Sequence, residues 1–489
     1  MLMTKENKIQ NIMLLLFIIM SVIMGVLNKS YLVTGMYVIT LLVIGYMFKD
    51  DGIYDLFYGV LITSTIYDYV LYMPGRENLY IFHIALGLFT IGTFIKLIKN
   101  PDIFKKISKF AAIIIGIWFI YICASFFWAL NRGLAVKYIA IYILMFCFIG
   151  DLAVYNINKE RFAKTVKLLI GFTSFIIIIG FIEVLLGHQL PVKHHYDGLP
   201  MKDSYDYLKL MARPLVFSFN INNLAATLSI MIPISMFQIN KSKSIAAKVW
   251  LIVICSISFI LVALTISRTG IVAMAFSIGV YLLYNIITFK VYRFKGLLYS
   301  VILIAAFTLA FTNGYRLLNV KSAQNIVQQT KTQDNDLVNK MDKLMDDQVS
   351  IGGDGSVNER LTIIHDVISD AVENKKILGN GAGNVYQLLV NKNNTYGVYN
   401  PHCYPIEILG DFGVVGVLIY GVYYLYLLIG NLVLGIKKKN IYCIEAVTGL
   451  IAFAPASFGP SSITYVFSYW ILMGFAISTI QVAKQDNNY

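Results

Sequence analysis

Long apolar runs, separated by short polar stretches, recur along nearly the whole chain. A run of about 18 apolar residues is long enough to cross roughly 30 Å of hydrocarbon as a helix. Because hydrocarbon offers no water to the backbone, an isolated spanning segment must be helical. Fourteen runs fit this description: residues 9–27, 31–48, 53–73, 79–98, 110–130, 134–153, 166–187, 215–239, 249–266, 271–289, 297–312, 412–434, 442–458 and 463–480. The pattern predicts an all-α, polytopic integral membrane protein with about 12–14 transmembrane helices.

One long stretch interrupts these runs and divides the chain. It is a mostly polar loop that stands immediately before the last three predicted spans. We therefore predict four parts. They are an N-terminal transmembrane scaffold at 1–187, transmembrane segments with phosphate-binding arginines at 188–312, an extracytoplasmic loop domain at 313–403, and C-terminal transmembrane helices at 404–489.

The second half of the loop has the pattern of an amphipathic helix. Apolar residues recur there at steps of three and four: Leu361, Ile364, Ile368 and Val372. Arg360 stands in the first turn of this predicted helix, and Gly379 follows as its stop. A further helix is predicted to start at Pro405 and to continue into the membrane. We therefore expect His402 and Arg360 to lie where the loop meets the lipid, near helix starts whose free N–H groups suit anions.

Composition and charge agree with a membrane location. The chain has 58% hydrophobic and 14% charged residues, whereas about a quarter of the residues in soluble globular proteins are charged. Its net charge of +13 would suggest a nucleic-acid partner in a soluble chain, but here the lysines concentrate in alternate loops. We predict a cell-membrane protein with both termini cytoplasmic, the loops at 187–214 and 313–400 extracytoplasmic, and no nucleic-acid partner.

Arginine is distributed differently from lysine. Only eight of the 40 basic residues are arginine, and six of these fall on the predicted outer side: Arg76, Arg132, Arg213, Arg268, Arg316 and Arg360. A guanidinium binds phosphate through two parallel hydrogen bonds. Arg213, which precedes the apolar span containing Asn223, and Arg268, in a Ser-Arg-Thr helix junction, are therefore candidate phosphate ligands. An interfacial anchor that keeps its charge in water is the alternative for each.

No metal or cofactor site is predicted. His194, His195 and Asp197 stand close together, but adjacent histidines point in different directions and no third ligand has a defined spacing. The sequence has no phosphate-binding loop or dinucleotide motif. Its GNGAGN segment at residues 379–384 follows a predicted helix rather than a strand.

Four short motifs, in this order along the chain, resemble the O-antigen ligase and polysaccharide polymerase superfamily of bacterial cell-envelope proteins. They are an arginine before an asparagine-bearing span (Arg213, Asn223), a Ser-Arg-small junction (Arg268), an arginine opening a loop helix that ends in LGNGAGN (Arg360), and a histidine starting PHCYPIEILGDFGVVG (His402). The superfamily's spacing after the histidine is followed by Ile406, Leu409, Asp411, Gly413 and Gly416. Cys403 departs from the asparagine often found there, and the span count exceeds the usual dozen by two.

The resemblance implies glycosyl transfer at the outer face of the membrane, without a nucleotide sugar, cofactor or metal. The donor would be a glycan on undecaprenyl diphosphate, and the acceptor would be a sugar hydroxyl. Arg213 and Arg268 would bind the donor diphosphate, and His402 and Arg360 would be catalytic. A neutral imidazole suits the removal of the acceptor proton. Glu407 and Asp411 are alternative acid–base groups or structural carboxylates.

Three activities remain open at this point. Polymerase and ligase share the donor chemistry and differ only in the acceptor. A composition rich in lysine, isoleucine and asparagine is typical of an AT-rich genome and compatible with a Gram-positive host, which favours polymerisation of a cell-wall or capsular glycan such as teichuronic acid. A lipid-linked oligosaccharide flippase is the third activity, and the long loop and the scarcity of charges within the spans disfavour it.

Overall fold

A computed structural model describes residues 5–67, 70–73, 75–192, 212–317, 351–353 and 356–485. This part of the chain is almost entirely helical and includes one antiparallel ribbon, β1 (Tyr72–Met73) with β2 (Arg76–Tyr80). The first eight helices are α1 (Lys5–Leu27), α2 (Tyr31–Met47), α3 (Ile53–Ser64), α4 (Ile81–Lys99), α5 (Ile103–Lys106), α6 (Lys109–Ala124), α7 (Arg132–Tyr155) and α8 (Lys159–Leu186). The others are α9 (Ile221–Lys241), α10 (Ile245–Thr265), α11 (Arg268–Ile287), α12 (Phe289–Asn313), α13 (Ser356–Val372), α14 (Val385–Lys392), α15 (Tyr404–Lys437), α16 (Ile441–Ala456) and α17 (Phe467–Gln485).

Each of the fourteen predicted apolar runs has its own helix. Within the described residues, nine helices are long and apolar enough to cross a membrane, and three further apolar helices are shorter. The remaining two, α9 and α17, are buried along most of their length. Because they face protein rather than lipid, they accommodate more polar residues than a lipid-facing helix does. The predicted fold class, an all-α polytopic membrane protein, is confirmed.

Helix α15 starts at Tyr404, one residue before the predicted start at Pro405, and it is sharply bent. Gly413 has φ 63° and ψ −167° inside it, a conformation that favours glycine. The rings of Tyr404 and Tyr420 lie only 5.4 Å apart. In a straight helix these residues would be about 24 Å apart along the axis. The segment before Gly413 therefore folds back beside the segment after it.

The prediction for the loop helix was right about its existence and wrong about its buried face. Helix α13 starts at Ser356 and ends at Val372, so Gly379 lies seven residues beyond its end and is not its stop. Ile363 and Val367 are buried in a small core with α14, whereas Ile368 is 43% exposed and Val372 is 69% exposed. The buried face also carries two aspartates, which an apolar pattern does not register.

These two aspartates connect α13 to its neighbours. Asp366 accepts a hydrogen bond from the Lys392 ammonium at 3.0 Å, and Asp370 accepts one from the Asn380 amide at 2.8 Å. Both carboxylates are buried, and a buried carboxylate that lacked such donors would be costly. The polar contacts therefore fix the orientation of α13 on the glycine-rich segment 379–384.

Gly379 allows the glycine-rich segment to make close backbone contact with α15. A Cβ added there would collide with the backbone of Asp411 and Gly413, and one added to Gly413 would collide with the carbonyl oxygen of Ile377. Beside this contact, the Gly381 N–H donates to the Asp411 carbonyl at 2.8 Å. The bend in α15 and the glycine-rich segment are thus joined backbone to backbone.

Helix α7 defines the two ends of the bundle. At its start, the Asn131 N–H donates to the Asn384 side chain of the loop domain at 2.6 Å. At its far end, the Tyr155 hydroxyl donates to Asp55 at 2.8 Å. We call these the loop end and the opposite end. Which end faces the cytoplasm, and the four-part division of the chain, stay predictions.

Several residues named in the sequence analysis lie outside the described part of the chain. They are His194, His195 and Asp197, together with residues 318–350 of the predicted loop domain.

Candidate functional site

The site at the loop end is built on the starts of α9 and α11. Asn220 caps α9 by accepting the Asn223 N–H at 2.9 Å. Gly270 lets α11 approach α9, since a Cβ there would lie 2.8 Å from the Cβ of Ala225. The Ser229 hydroxyl also donates to the Gly270 carbonyl at 3.0 Å. Two helix N-termini therefore lie side by side, and each carries partial positive charge.

Gly459, which follows α16, lies directly against these two starts. A Cβ added to it would be 2.8 Å from the Thr269 hydroxyl oxygen and 3.6 Å from the Asn222 Cβ. The carbonyl oxygen of Gly459 lies 3.3 Å from Nδ1 of His402. His402 is thereby placed next to the residues that flank Arg268.

The Gly459 contact fixes the tautomer of His402. A carbonyl oxygen only accepts hydrogen bonds, so Nδ1 of the imidazole carries the hydrogen, and the lone pair of the neutral ring is on Nε2. His402 also has a φ of 49°, a left-handed conformation that is costly for a residue with a side chain. The Tyr404 N–H, two residues on, donates to the Ser457 carbonyl at 3.3 Å. The backbone on either side of the imidazole is therefore held against the end of α16.

Three cationic or titratable groups meet here. Burial lowers the pKa of His402, the positive charge of Arg360 lowers it further, and the Gly459 bond acts in the opposite direction. Burial also lowers the pKa of Arg360, as does the nearby charge of Arg268. The depressed pKa keeps the imidazole of His402 neutral at neutral pH. The structure thus brings together Arg268, Arg360 and His402 from three distant parts of the chain.

The two carboxylates that follow His402 make structural contacts. Glu407 is buried and accepts the Ser462 hydroxyl at 2.5 Å and the Ile463 N–H at 3.4 Å. Asp411 is also buried and accepts the N–H groups of Gly383 and Val385, each at 2.7 Å. Asp411 therefore caps the start of α14. These contacts favour the structural alternative for both residues over a role as the base.

Arg213 lies just before two residues whose N–H groups bind a buried acid. Its carbonyl oxygen accepts the Gln189 amide at 2.8 Å. Glu183 of α8 accepts the N–H groups of Leu190, Leu215 and Val216, each at 2.8 Å. The sequence analysis missed Glu183, although an acid inside a predicted span is itself a signal of a polar partner. The assignment of Arg213 to the donor diphosphate stays a prediction.

Among the described residues, no group of three or more His, Cys, Asp or Glu side chains is arranged to hold a metal ion. Metal independence itself stays a prediction.

Residues 251–421 match the O-Antigen ligase family model. The predicted family resemblance is confirmed. The chain is also 23% identical over 392 residues to the teichuronic acid biosynthesis protein TuaE of Bacillus subtilis (strain 168), an alignment that covers 76% of this chain and 71% of that protein. Together these matches support polysaccharide biosynthesis at the membrane.

The family match covers only part of the site. Arg268, Arg360 and His402 all lie inside residues 251–421, and Arg213 lies before them. Gly459, whose carbonyl orients His402, lies after the match. No short motif marks Gly459, so its role was visible only once the chain was folded.

Proposed function

We propose that this protein catalyses glycosyl transfer at the outer face of the cell membrane, extending a cell-envelope glycan from units carried on a polyprenyl diphosphate such as undecaprenyl diphosphate. The observation that carries the proposal is the position of the His402 imidazole, which lies 3.3 Å from the Gly459 carbonyl oxygen and within electrostatic range of Arg360, which is itself within range of Arg268. A diphosphate leaving group gains negative charge as its bond to the sugar breaks, and Arg268 and Arg360 are placed to stabilise that charge.

In this mechanism Nε2 of His402 removes the proton from the acceptor hydroxyl. The hydroxyl oxygen forms the new bond to the anomeric carbon, and the bond from that carbon to the diphosphate oxygen breaks. The bonding pair leaves with the diphosphate, whose charge is balanced by the guanidinium groups and the two helix N-termini. The extended glycan is then carried by the lipid of the acceptor, and the lipid diphosphate of the donor is released. The proton on His402 passes to water. No cofactor is required by this proposal.

We favour polymerisation over ligation, and the similarity to a protein named for teichuronic acid biosynthesis supports a cell-envelope glycan as the product. A polymer related to teichuronic acid is therefore the product we propose. A ligase would need a different acceptor, so long chains formed from lipid-linked repeat units alone would distinguish a polymerase from a ligase.

The test compares two histidines in vesicles supplied with lipid-linked repeat units. His402→Ala removes the base and should reduce the transfer rate by roughly 10²- to 10⁴-fold, while donor lipid still binds. His365→Ala is the matched control, because the His365 side chain is 52% exposed on α13 and should not affect the rate. In cells, His402→Ala should accumulate single lipid-linked units at the outer face. Normal chain lengths would contradict the mechanism, and units stranded on the cytoplasmic leaflet would indicate a flippase.

A further inference from the structure

An apolar groove of about 280 Å³ opens between the two segments of α15 and the end of α16. Its lining includes Ile408 before the bend, Val417, Tyr420 and Gly421 after it, and Phe453 of α16. Ile408 and Phe453 are buried, whereas Val417 is 38% exposed. The groove therefore has a floor within the bundle and a rim on its lipid-facing surface.

The polar atoms in the lining have partners within the protein. The Tyr424 hydroxyl donates to the Leu450 carbonyl at 2.5 Å, and the Tyr420 hydroxyl lies 3.3 Å from that of Tyr469. The Ser457 hydroxyl donates to the Ala454 carbonyl at 2.8 Å. With these hydroxyl groups engaged inside the protein, the lining suits a hydrocarbon and leaves a polar ligand without hydrogen bonds.

The groove and the transfer site share a wall. Tyr404 and Ser457, which line the groove, are joined by a backbone hydrogen bond just two residues after His402. Phe458 also lines the groove, and the next residue is Gly459, whose carbonyl orients His402. An amphiphile whose anionic head lies at Arg268 and Arg360 therefore has this hydrocarbon surface immediately next to its head.

We propose that the groove binds the headgroup-proximal isoprenoid units of the donor lipid, an inference that rests on the proposed function. From Val417 to Leu425 the lining of α15 extends over nine residues, whose eight helical rises span about 12 Å. This length accommodates only the first units of a long polyprenyl chain, and the rest of the tail lies in the bilayer. The groove thus selects the lipid by its tail, while the arginines select its diphosphate.

A pair of glycines allows a matched test. Apart from the local backbone of its own helix, no heavy atom of the described chain lies within 4 Å of a Cβ added to Gly421, which lines the groove, or to Gly116 of α6, which does not. Both residues are half-buried. Gly421→Leu therefore fills the groove without a clash at Cβ, and Gly116→Leu places the same side chain elsewhere on the bundle.

The measurement is the ratio of kcat/KM for two donors, one with the repeat unit on undecaprenyl diphosphate and one with it on a short linear alkyl diphosphate. Gly421→Leu should reduce the preference for the undecaprenyl donor by roughly tenfold, the effect of losing contact with about two methylene-sized groups. Gly116→Leu should keep the wild-type preference. An unchanged preference in Gly421→Leu overturns the proposal.

Photolabelling separates this proposal from the proposed function. A diazirine-bearing isoprenyl diphosphate should label the peptide containing residues 417–425 in wild type, and undecaprenyl diphosphate should compete. Competition by ordinary phospholipid to the same extent would show that the groove holds bilayer acyl chains and would overturn the proposal. Specific labelling in a protein that transfers no sugar would leave the groove assignment standing and remove the proposed function.

Discussion

The two ends of the bundle use arginine in opposite ways. At the opposite end, the guanidinium of Arg161 binds the carboxylate of Asp55 through Nε and Nη2, each at 3.1 Å. At the loop end, the charged neighbour with the largest effect on the pKa of Arg360 is another cation, Arg268, and the effect of Glu359 is smaller and opposite. A guanidinium that has its own carboxylate stabilises the fold. Two guanidinium groups near each other add their positive potentials, and the summed potential favours an anionic ligand.

The comparison predicts its largest effect at Arg268. Arg268→Gln should lower kcat/KM by roughly 10²- to 10³-fold, because one donor to the growing charge of the leaving group is lost. Donor binding should weaken together with the rate, since the substitution also removes a positive charge near Arg360. Arg132→Gln is the control, because Arg132 is an exposed arginine at the start of α7. Equal activity losses in Arg268→Gln and Arg132→Gln would contradict a specific role of Arg268 at the leaving group.

A smaller effect of the opposite kind is expected at Asp55. Asp55→Asn should lower the free energy of unfolding in mixed micelles by about 1.5–3 kcal/mol, because a charged acceptor of Arg161 is lost. Activity per folded molecule should stay near the wild-type value. Asp102→Asn serves as the control, since Asp102 forms an ion pair with Lys105 in which both side chains are more than 80% exposed, and such pairs contribute little. A strong loss of activity in Asp55→Asn without loss of stability would show that the opposite end also takes part in function.

The smallest effect concerns the pH dependence of transfer. The base must be neutral, so the rate falls as the pH drops through the pKa of His402, which lies below the ordinary histidine value of 6.5. Arg360→Gln removes a positive charge that disfavours the imidazolium. The pKa of His402 should then rise, and the acidic limb of the normalised rate profile should move to higher pH. Lys392→Gln, which changes a cation of α14 bonded to Asp366, is the control and should leave the limb in place. A limb that does not move in Arg360→Gln would show that the charge of Arg360 does not act on the base.

The sequence predicted the helices well because each membrane-spanning helix corresponds to a continuous apolar run. It also singled out His402, Arg360 and Arg268 from their positions and from the family motifs, and their roles stay predictions. It did not predict the bend at Gly413, because apolar residues flank that glycine closely on both sides and a bend leaves no mark in hydropathy. Partners distant in the chain were equally hidden. Asp55 and Arg161 are 106 residues apart, and His402 and Gly459 are 57 apart.

The buried face of α13 illustrates a different limit. Apolar periodicity selected the stripe that includes Ile368 and Val372, which is largely exposed. The buried stripe combines Ile363 and Val367 with aspartates that bond to the next elements of the loop domain. A helix that packs through both apolar and ionic contacts does not follow the pattern of a purely apolar face.

The contact between His402 and Gly459 has a consequence for biosynthesis. A nascent chain that has emerged as far as residue 421 already carries every residue of the family match. It still lacks Gly459, which orients the imidazole, and Ser462, which bonds to Glu407. Both arrive only with the final helical hairpin of α16 and α17. Under the proposed function, the imidazole of His402 is therefore oriented only after residues 459 and 462 have been synthesised, and we expect a chain truncated after residue 421 to fold without a competent base.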